Sequence, residues 1–316
     1  MMEYSIFKLS FNSPVHFGNG RLSKSVYTFC ADTLFSAMYK EAIKLYGEKE
    51  ADKLRTLALK GEQLISDAMP YCNDVLYLPK PIIHINGTRE NDSSMKKKFK
   101  QLSYIPIDDI GAYLKGDYDP TKALEQLKNI GRSDISAKVA VKLNEDSEPY
   151  SVGTFTFDSK KGYGLYFICG GTEEAYDMIY DIMDSLSYTG IGGKVSAGYG
   201  RFDYTYEDVT AELKNSIEGT HSRYMSLSIS MAADEEQTEK AVSDSYFELV
   251  KRSGFVSSET YSDNQMKKRD LYCFKSGSCF AQRFEGSVFD VSEGGRHPVY
   301  RYAVPMFYGF DQGGEL

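Results

Sequence analysis

Residues 190–200 hold Gly190, Gly192, Gly193, Gly198 and Gly200, with Lys194 and Ser196 among them. Glycine has no Cβ, so such a run enters left-handed backbone at no steric cost and exposes its N–H groups at close range. Phosphates and sugar edges are the guests that suit those groups. Arg201 adds a second cation, and Tyr199 offers a ring on which a base can stack. Two familiar loops are excluded. A Walker A loop needs a glycine five positions before Gly193, where Tyr188 stands, and a hydroxyl after the lysine, where Val195 stands. A dinucleotide-binding loop leads from strand into helix, whereas this run leaves a helix and enters a strand. The competing reading is a turn that packs tightly against a helix.

Two other places carry groups suited to an anion. In the second half, Lys267, Lys268 and Arg269 precede Ser276, Gly277 and Ser278, whose hydroxyls and N–H groups suit phosphate or sugar. Near the N-terminus, His16 sits in a turn with Arg21 and Lys24 close behind it. These two segments and the glycine run are expected to converge on a cleft between two domains. A further lysine run, Lys96, Lys97, Lys98 and Lys100, reads equally well as solvated surface or phosphate clamp.

The formal net charge of -8 weighs against a nucleic-acid partner, but phosphate affinity follows local charge. The acids gather elsewhere, above all in 173–184, which has Glu173, Glu174, Asp177, Asp181 and Asp184 and no base. Five scattered cysteines without a C-x-x-C pair, and only 4 His, support neither a disulfide framework nor a metal site. No metal or cofactor is expected. The first residues lack the pattern of a secretory signal and no apolar run reaches spanning length, so a cytoplasmic protein away from membranes is expected.

The elements that must position these groups follow from periodicity. Residues 3–11 alternate as a strand, with Phe7, Leu9 and Phe11 on one face and Tyr4 and Ile6 on the other. Asp32 is expected to cap a helix running to about Tyr46, stopped by Gly47. A second helical stretch spans roughly 49–68. The region 79–132, with several prolines and glycines, reads as an irregular insertion with little core of its own. A hairpin at 135–143 and 150–158, a strand at 163–168, a helix at 172–187, the glycine run and a strand to about 206 follow. This order is β-α-β-β-α-β, the ferredoxin-like pattern. A polar linker near 207–221 leads to further strands and an acidic stretch at 234–244. The 25 Tyr and 18 Phe, against no Trp, suit a sheet-rich chain. The expectation is an α+β fold of two packed ferredoxin-like (RRM-like) domains, 1–206 and 207–316, the second degenerate.

GIGGKVSAGYGRF, 190–202, resembles the glycine-rich loop of the RAMP superfamily of CRISPR proteins. HFG at 16–18, ADTLFSAMYKEA at 31–42, LPKPI at 78–82, KKRDLYCFKSGSCF at 267–280, FEGSVFDV at 284–291 and HPVYRYAVPMFY at 297–308 narrow the likeness. Together they resemble the family of fourth subunits of type III-A Csm effector complexes. The resemblance implies a non-catalytic subunit, one copy per complex, that caps the 5′ tag of the CRISPR RNA. It implies contact with the large polymerase-domain subunit and with the repeated backbone subunit. RNA contacts are then expected from His16, Arg21, Lys24, Gly190, Gly192, Gly193, Lys194, Ser196, Gly198, Tyr199, Arg201, Lys267, Lys268, Arg269, Ser276 and Ser278. The alternative is a RAMP endoribonuclease that processes CRISPR transcripts with His16 as general acid or base; a pure scaffold is a third reading. Target cleavage by an aspartate is disfavoured, because the loop from Asn12 to Ala31 has no carboxylate.

Overall fold

The computed structural model describes residues 2–85, 93–140, 148–258 and 260–311. In chain order the first half begins with β1 (Glu3–Phe11), the short hairpin β2 (Phe17–Asn19) and β3 (Arg21–Val26), and helices α1 (Ala31–Tyr46) and α2 (Glu48–Leu59). Strands β4 (Gln63–Ile65), β5 (Met69–Cys72) and β6 (Val75–Pro79) follow. Next come α3 (Ser93–Gln101), β7 (Tyr104–Pro106), α4 (Ile110–Leu114) and α5 (Thr121–Lys128). The hairpin β8 (Gly131–Ala140) and β9 (Glu148–Phe157) leads into β10 (Tyr163–Gly171), α6 (Glu173–Thr189) and β11 (Phe202–Asp208).

These strands build a seven-stranded sheet in the order β11-β1-β10-β5-β6-β7, with β4 also paired to β10. β1 lies antiparallel between β10 and β11, and a hydrophobic core packs on each of its faces, as its two-sided apolar pattern requires. Phe7, Leu9 and Phe11 face a core shared with Leu34, Phe35 and Met38 of α1 and Ile179 and Ile182 of α6. Each such fully buried side chain contributes roughly 1.5–3 kcal/mol of transfer free energy. Tyr4, Ile6, Tyr166 and Ile168 face a second core, closed by Ile105, Tyr113 and Ala123 and by Met225 and Met306 of the second half. Both faces of the sheet are therefore covered. A single strand cannot stack its bases on this sheet in the manner of an open RRM platform.

The second half runs α7 (Ala211–Glu218), β12 (Arg223–Ser226), α8 (Glu235–Val242), β13 (Leu249–Arg252), β14 (Leu271–Phe274) and β15 (Cys279–Phe280). It ends with β16 (Ser287–Asp290), β17 (Tyr300–Ala303) and β18 (Phe307–Phe310). Among the described residues these strands form a three-stranded sheet, β15-β12-β18, and the two-stranded pairs β13-β14 and β16-β17. β17 packs across α1, with Phe35 against Tyr302 at 5.3 Å and Tyr39 edge-on to Tyr300 at 5.6 Å between ring centres. The halves thus share both hydrophobic cores.

Three local expectations change. The polar stretch after β11 is a helix, α7, whose cap Thr210 accepts a hydrogen bond from the Leu213 N–H. The inserted region is not coreless: Ile105, Ile110, Tyr113 and Ala123 are buried against the sheet. Its apolar positions fall in pieces of three to nine residues, too short for a period to show. Asp32 is not a cap: Cys30 holds that position, and Asp32 lies inside the first turn with its carboxylate buried.

Candidate nucleic-acid interface

A cleft of about 560 Å³ runs between the two halves. One wall comes from the turn at His16–Gly18 and the glycine loop at Gly192 and Gly193; the other comes from Arg252–Phe255, Lys268 and Lys275–Ser276. The N-terminal turns of α1 form its floor with Thr33, Ser36 and Lys40, next to Arg301 of β17.

The first wall is held by backbone contacts that only glycine permits. A Cβ on Gly192 would lie 2.9 Å from the His16 carbonyl oxygen, and one on Gly193 would lie 2.7 Å from the His16 ring. The Gly193 N–H donates to the His16 carbonyl at 2.9 Å, and the Gly200 N–H donates to that of Pro14 at 2.9 Å. Gly190 and Gly200 cross so closely that a Cβ on Gly200 would stand 2.1 Å from the Ile191 oxygen. These four glycines are needed for packing. Gly198 alone faces open space, at φ +83°. His16 is buried and its Nδ1–H donates to the Gly153 carbonyl at 2.7 Å, which ties the turn to β9.

At the tip, Lys194 takes left-handed backbone, φ +62°, and its ammonium lies 5.0 Å from the Tyr150 ring. Lys138 of β8 lies in turn 5.5 Å from the Tyr199 ring. Two reciprocal cation–π contacts therefore join the glycine loop to the β8-β9 hairpin.

The floor is charged. Asp32 receives Arg252 through both oxygens, at 2.6 and 3.0 Å, and Arg301 at 2.7 Å. Burial alone would raise its carboxyl, but the two guanidiniums overrule burial and hold it below the usual carboxylate range. Asp67 accepts the N–H groups of Ala31 and Ile229, each at 2.8 Å, and so joins the start of α1 to the second half. Burial pushes Asp67 up to about 6. Burial likewise presses Lys268 down to about 8, with the like charge of Arg301 adding to it. Among the described residues Lys40, Arg252, Lys268, Lys275 and Arg301 line the cleft with Asp32 and Asp67, and Lys275 is paired with Glu248 at 2.6 Å. An anionic ligand would offset this excess of cations.

Of the residues singled out in the sequence, His16, Gly192, Gly193, Lys268 and Ser276 line the cleft. Lys194 and Tyr199 meet the hairpin beside it, while Gly190 is packed beneath the loop. Arg21, Lys24, Ser196 and Arg201 are exposed outside the cleft lining, and Gly198 is half-buried. Lys267 lies 5.9 Å from the ring of Phe255, itself a lining residue, and the Arg269 guanidinium donates to the Asp290 carbonyl. Ser278 is a correction. It is fully buried and accepts from the Glu248 N–H at 3.3 Å, so it has no surface to offer a ligand. Sequence reasoning missed Lys40, Arg252 and Arg301. Lys40 follows Thr33 and Ser36 at helical spacing, and Arg252 follows Lys251 as a basic pair, signals that were legible; Arg301 is a lone cation in the aromatic strand β17.

Among the described residues no helix is long and apolar enough to cross a membrane, and no group of three His, Cys, Asp or Glu is placed to hold a metal. The RAMP superfamily model matches residues 8–203, and the CRISPR Csm4 C-terminal domain matches residues 220–310. The chain is 34% identical over 308 residues to "CRISPR system Cms protein Csm4" of Mycobacterium tuberculosis (strain ATCC 25618 / H37Rv), covering 97% of each. It is 31% identical over 316 residues to the protein of the same name from Streptococcus thermophilus, covering 97% of this chain and 99% of that one. The fold is similar to that in a crystal structure of a Csm1-Csm4 cassette in complex with AMPPNP, at TM-score 0.63 and 17% identity, over 99% of this chain and 100% of that one. It is also similar to that in a crystal structure of the Csm3-Csm4 subcomplex of a type III-A CRISPR-Cas interference complex, at TM-score 0.63 and 16% identity, over 98% and 99%.

Proposed function

This chain belongs to the Csm4 family of the RAMP superfamily, and from that membership we propose that it is the RNA-binding subunit that caps the 5′ tag of the CRISPR RNA in a type III-A Csm interference complex. The observation that carries the reading is the cleft between the halves, where Lys40 of the first half and Arg252, Lys268 and Arg301 of the second gather around Asp32 and Asp67. With both faces of the sheet covered, that cleft and the loop–hairpin surface beside it are where a single strand finds cations and rings together. The domains are read as two ferredoxin-like units. In the first, support comes from β1, β5, β10 and β11, which follow one another around α1 and α6 and lie side by side as β11-β1-β10-β5. Partners are proposed from relatives: the large Csm1 subunit and the backbone Csm3 subunit, both seen with a Csm4 chain. One copy per complex in the cytoplasm completes the reading.

The subunit is proposed to be non-catalytic. His16 braces the turn through Nδ1, and its opposite ring edge lies against Gly18 and Gly193. Such a packed imidazole suits a wall better than a general base that must reach a ribose hydroxyl. The test reconstitutes the complex on a CRISPR RNA carrying 4-thiouridine in the tag. Cross-links are expected on the cleft walls, at 16–18, 192–199 and 253–255. Cross-links confined to α6 and the outer face of α2 would overturn the reading. CRISPR transcripts incubated with the purified chain, with or without divalent metal, should stay intact. Site-specific cleavage lost in His16→Ala would make the chain a processing endoribonuclease.

A further inference from the structure

We propose that the floor of the cleft is a receptor for one phosphate group of the bound strand, closed by Lys40 of α1, Lys268 and Arg301 of β17. The inference rests on the RNA reading above and assigns a place within it. Three observations converge. Arg301 is 5% exposed and lines the cleft, yet its Nε–H is buried with no hydrogen-bond partner. Its other nitrogens are engaged, Nη1 with Asp32 at 2.7 Å and Nη2 with the Ser253 carbonyl at 3.5 Å. A buried guanidinium N–H without an acceptor is costly, and folded proteins keep few of them.

The second observation is the charge balance. Among the described residues neither Lys40 nor Lys268 has a carboxylate within 4.0 Å, and Asp32 is already shared by two guanidiniums. Burial is the main penalty on the charge of Lys268, and Arg301, Lys40 and Arg252 add to it against the favourable charge of Asp32. Lys40, though exposed to solvent, is shifted in the same direction by partial desolvation in the cleft and by Lys44, against Glu41. The third is shape: Thr33 and Ser36 put hydroxyls along the face of α1 that carries Lys40, all three lining the cleft. Ammonium, forked guanidinium N–H and hydroxyls around one cavity are the donor set that phosphate oxygens accept from.

The chemistry is the same for an internal phosphodiester and for a terminal phosphate, and the experiment separates them. Fluorescent single-stranded RNA of the tag sequence is titrated with the purified chain, with one linkage at a time replaced by a neutral methylphosphonate. Parallel titrations use 5′-phosphorylated and 5′-hydroxyl RNA. For an internal phosphate, wild type loses roughly tenfold in affinity at one linkage, the size of a lost charged hydrogen bond. Lys268→Met loses a similar factor on unmodified RNA and nothing further at that linkage. For a terminal phosphate, the coupling with Lys268 appears only between the 5′ ends. Lys267→Met, on the neighbouring exposed lysine, couples to no single group.

The pH profile gives a second readout that does not depend on Lys268→Met folding well. A lysine whose charge is disfavoured in the free protein must take up a proton to hold an anion, so wild-type affinity falls as pH rises through about 8. Lys268→Arg keeps the affinity and flattens that slope. Effects of Lys268→Met and every modified group that simply add, together with a Lys268→Arg profile like wild type, overturn the receptor while leaving RNA binding intact. Failure of the wild type to bind any of these RNAs at low salt overturns both readings.

Discussion

Replacing Asp32 by Asn tests whether the charged floor also holds the two halves together. The carboxylate side chain is 4% exposed and pairs with Arg252 and Arg301, which lie 220 and 269 positions further along the chain. If Asp32 merely capped α1, its loss would cost about 1 kcal/mol. As the carboxylate shared by two guanidiniums, its neutralisation leaves buried positive charge uncompensated, which costs about 3–5 kcal/mol. Unfolding entropy for 316 residues is roughly 0.66 kcal/mol/K, so these costs become about 1–2 °C and about 5–8 °C in Tm. Differential scanning calorimetry at pH 7 distinguishes them. The pH dependence has a definite sign. Asp32 titrates lower in the folded chain than in the unfolded one, near 3.9, so its stabilisation is present above pH 4 and is lost as pH falls through the folded value. Asp32→Asn should lack that acid-side loss. A Tm within 2 °C of wild type, or an unchanged acid limb, would refute the argument that this triad couples the halves.

Gly200→Ala should destabilise far more than Gly198→Ala: both have positive φ, but only the former drives a Cβ into the Ile191 carbonyl, and the latter should cost about 1–2 kcal/mol by chemical denaturation. Asp67→Asn keeps an acceptor for Ala31 and Ile229 but removes a carboxyl whose raised pKa makes wild-type stability decline from about pH 4 to 6. A pH series of melts should show that decline absent in the variant. A double-mutant cycle on Lys194 and Tyr150 should give a coupling of about 0.5–1 kcal/mol, and Lys194→Ala should lower the salt slope of RNA binding by about 0.7.

The sequence by itself determined what local periodicity can encode. The apolar alternation of residues 3–11 marked a strand, and the apolar positions Leu34, Phe35 and Met38 marked a helix; that the strand is central and the helix packs on it came from the fold. The glycine run was legible as backbone free to take positive φ and to approach a neighbour closely, because positive φ and missing Cβ atoms are properties of residue type, but it pointed first to phosphate and only second to tight packing. The short stretches that spelled out the family were legible too, and the family matches span the same regions. What the approach was for was not legible: the glycines make room for the His16 turn, a contact fixed by β-sheet pairing far along the chain. Nor could the sequence tell that Asp32, a good cap by its type and place, would be turned inward. A buried charge is decided by its partners, and Arg252 and Arg301 reach it only because β13 and β17 fold back over the start of α1. The same packing decided which lysines matter. Lys267 and Lys268 are indistinguishable as letters, yet one lies in solvent beside Phe255 while the other lies half-buried among guanidiniums, where desolvation and like charge change its chemistry.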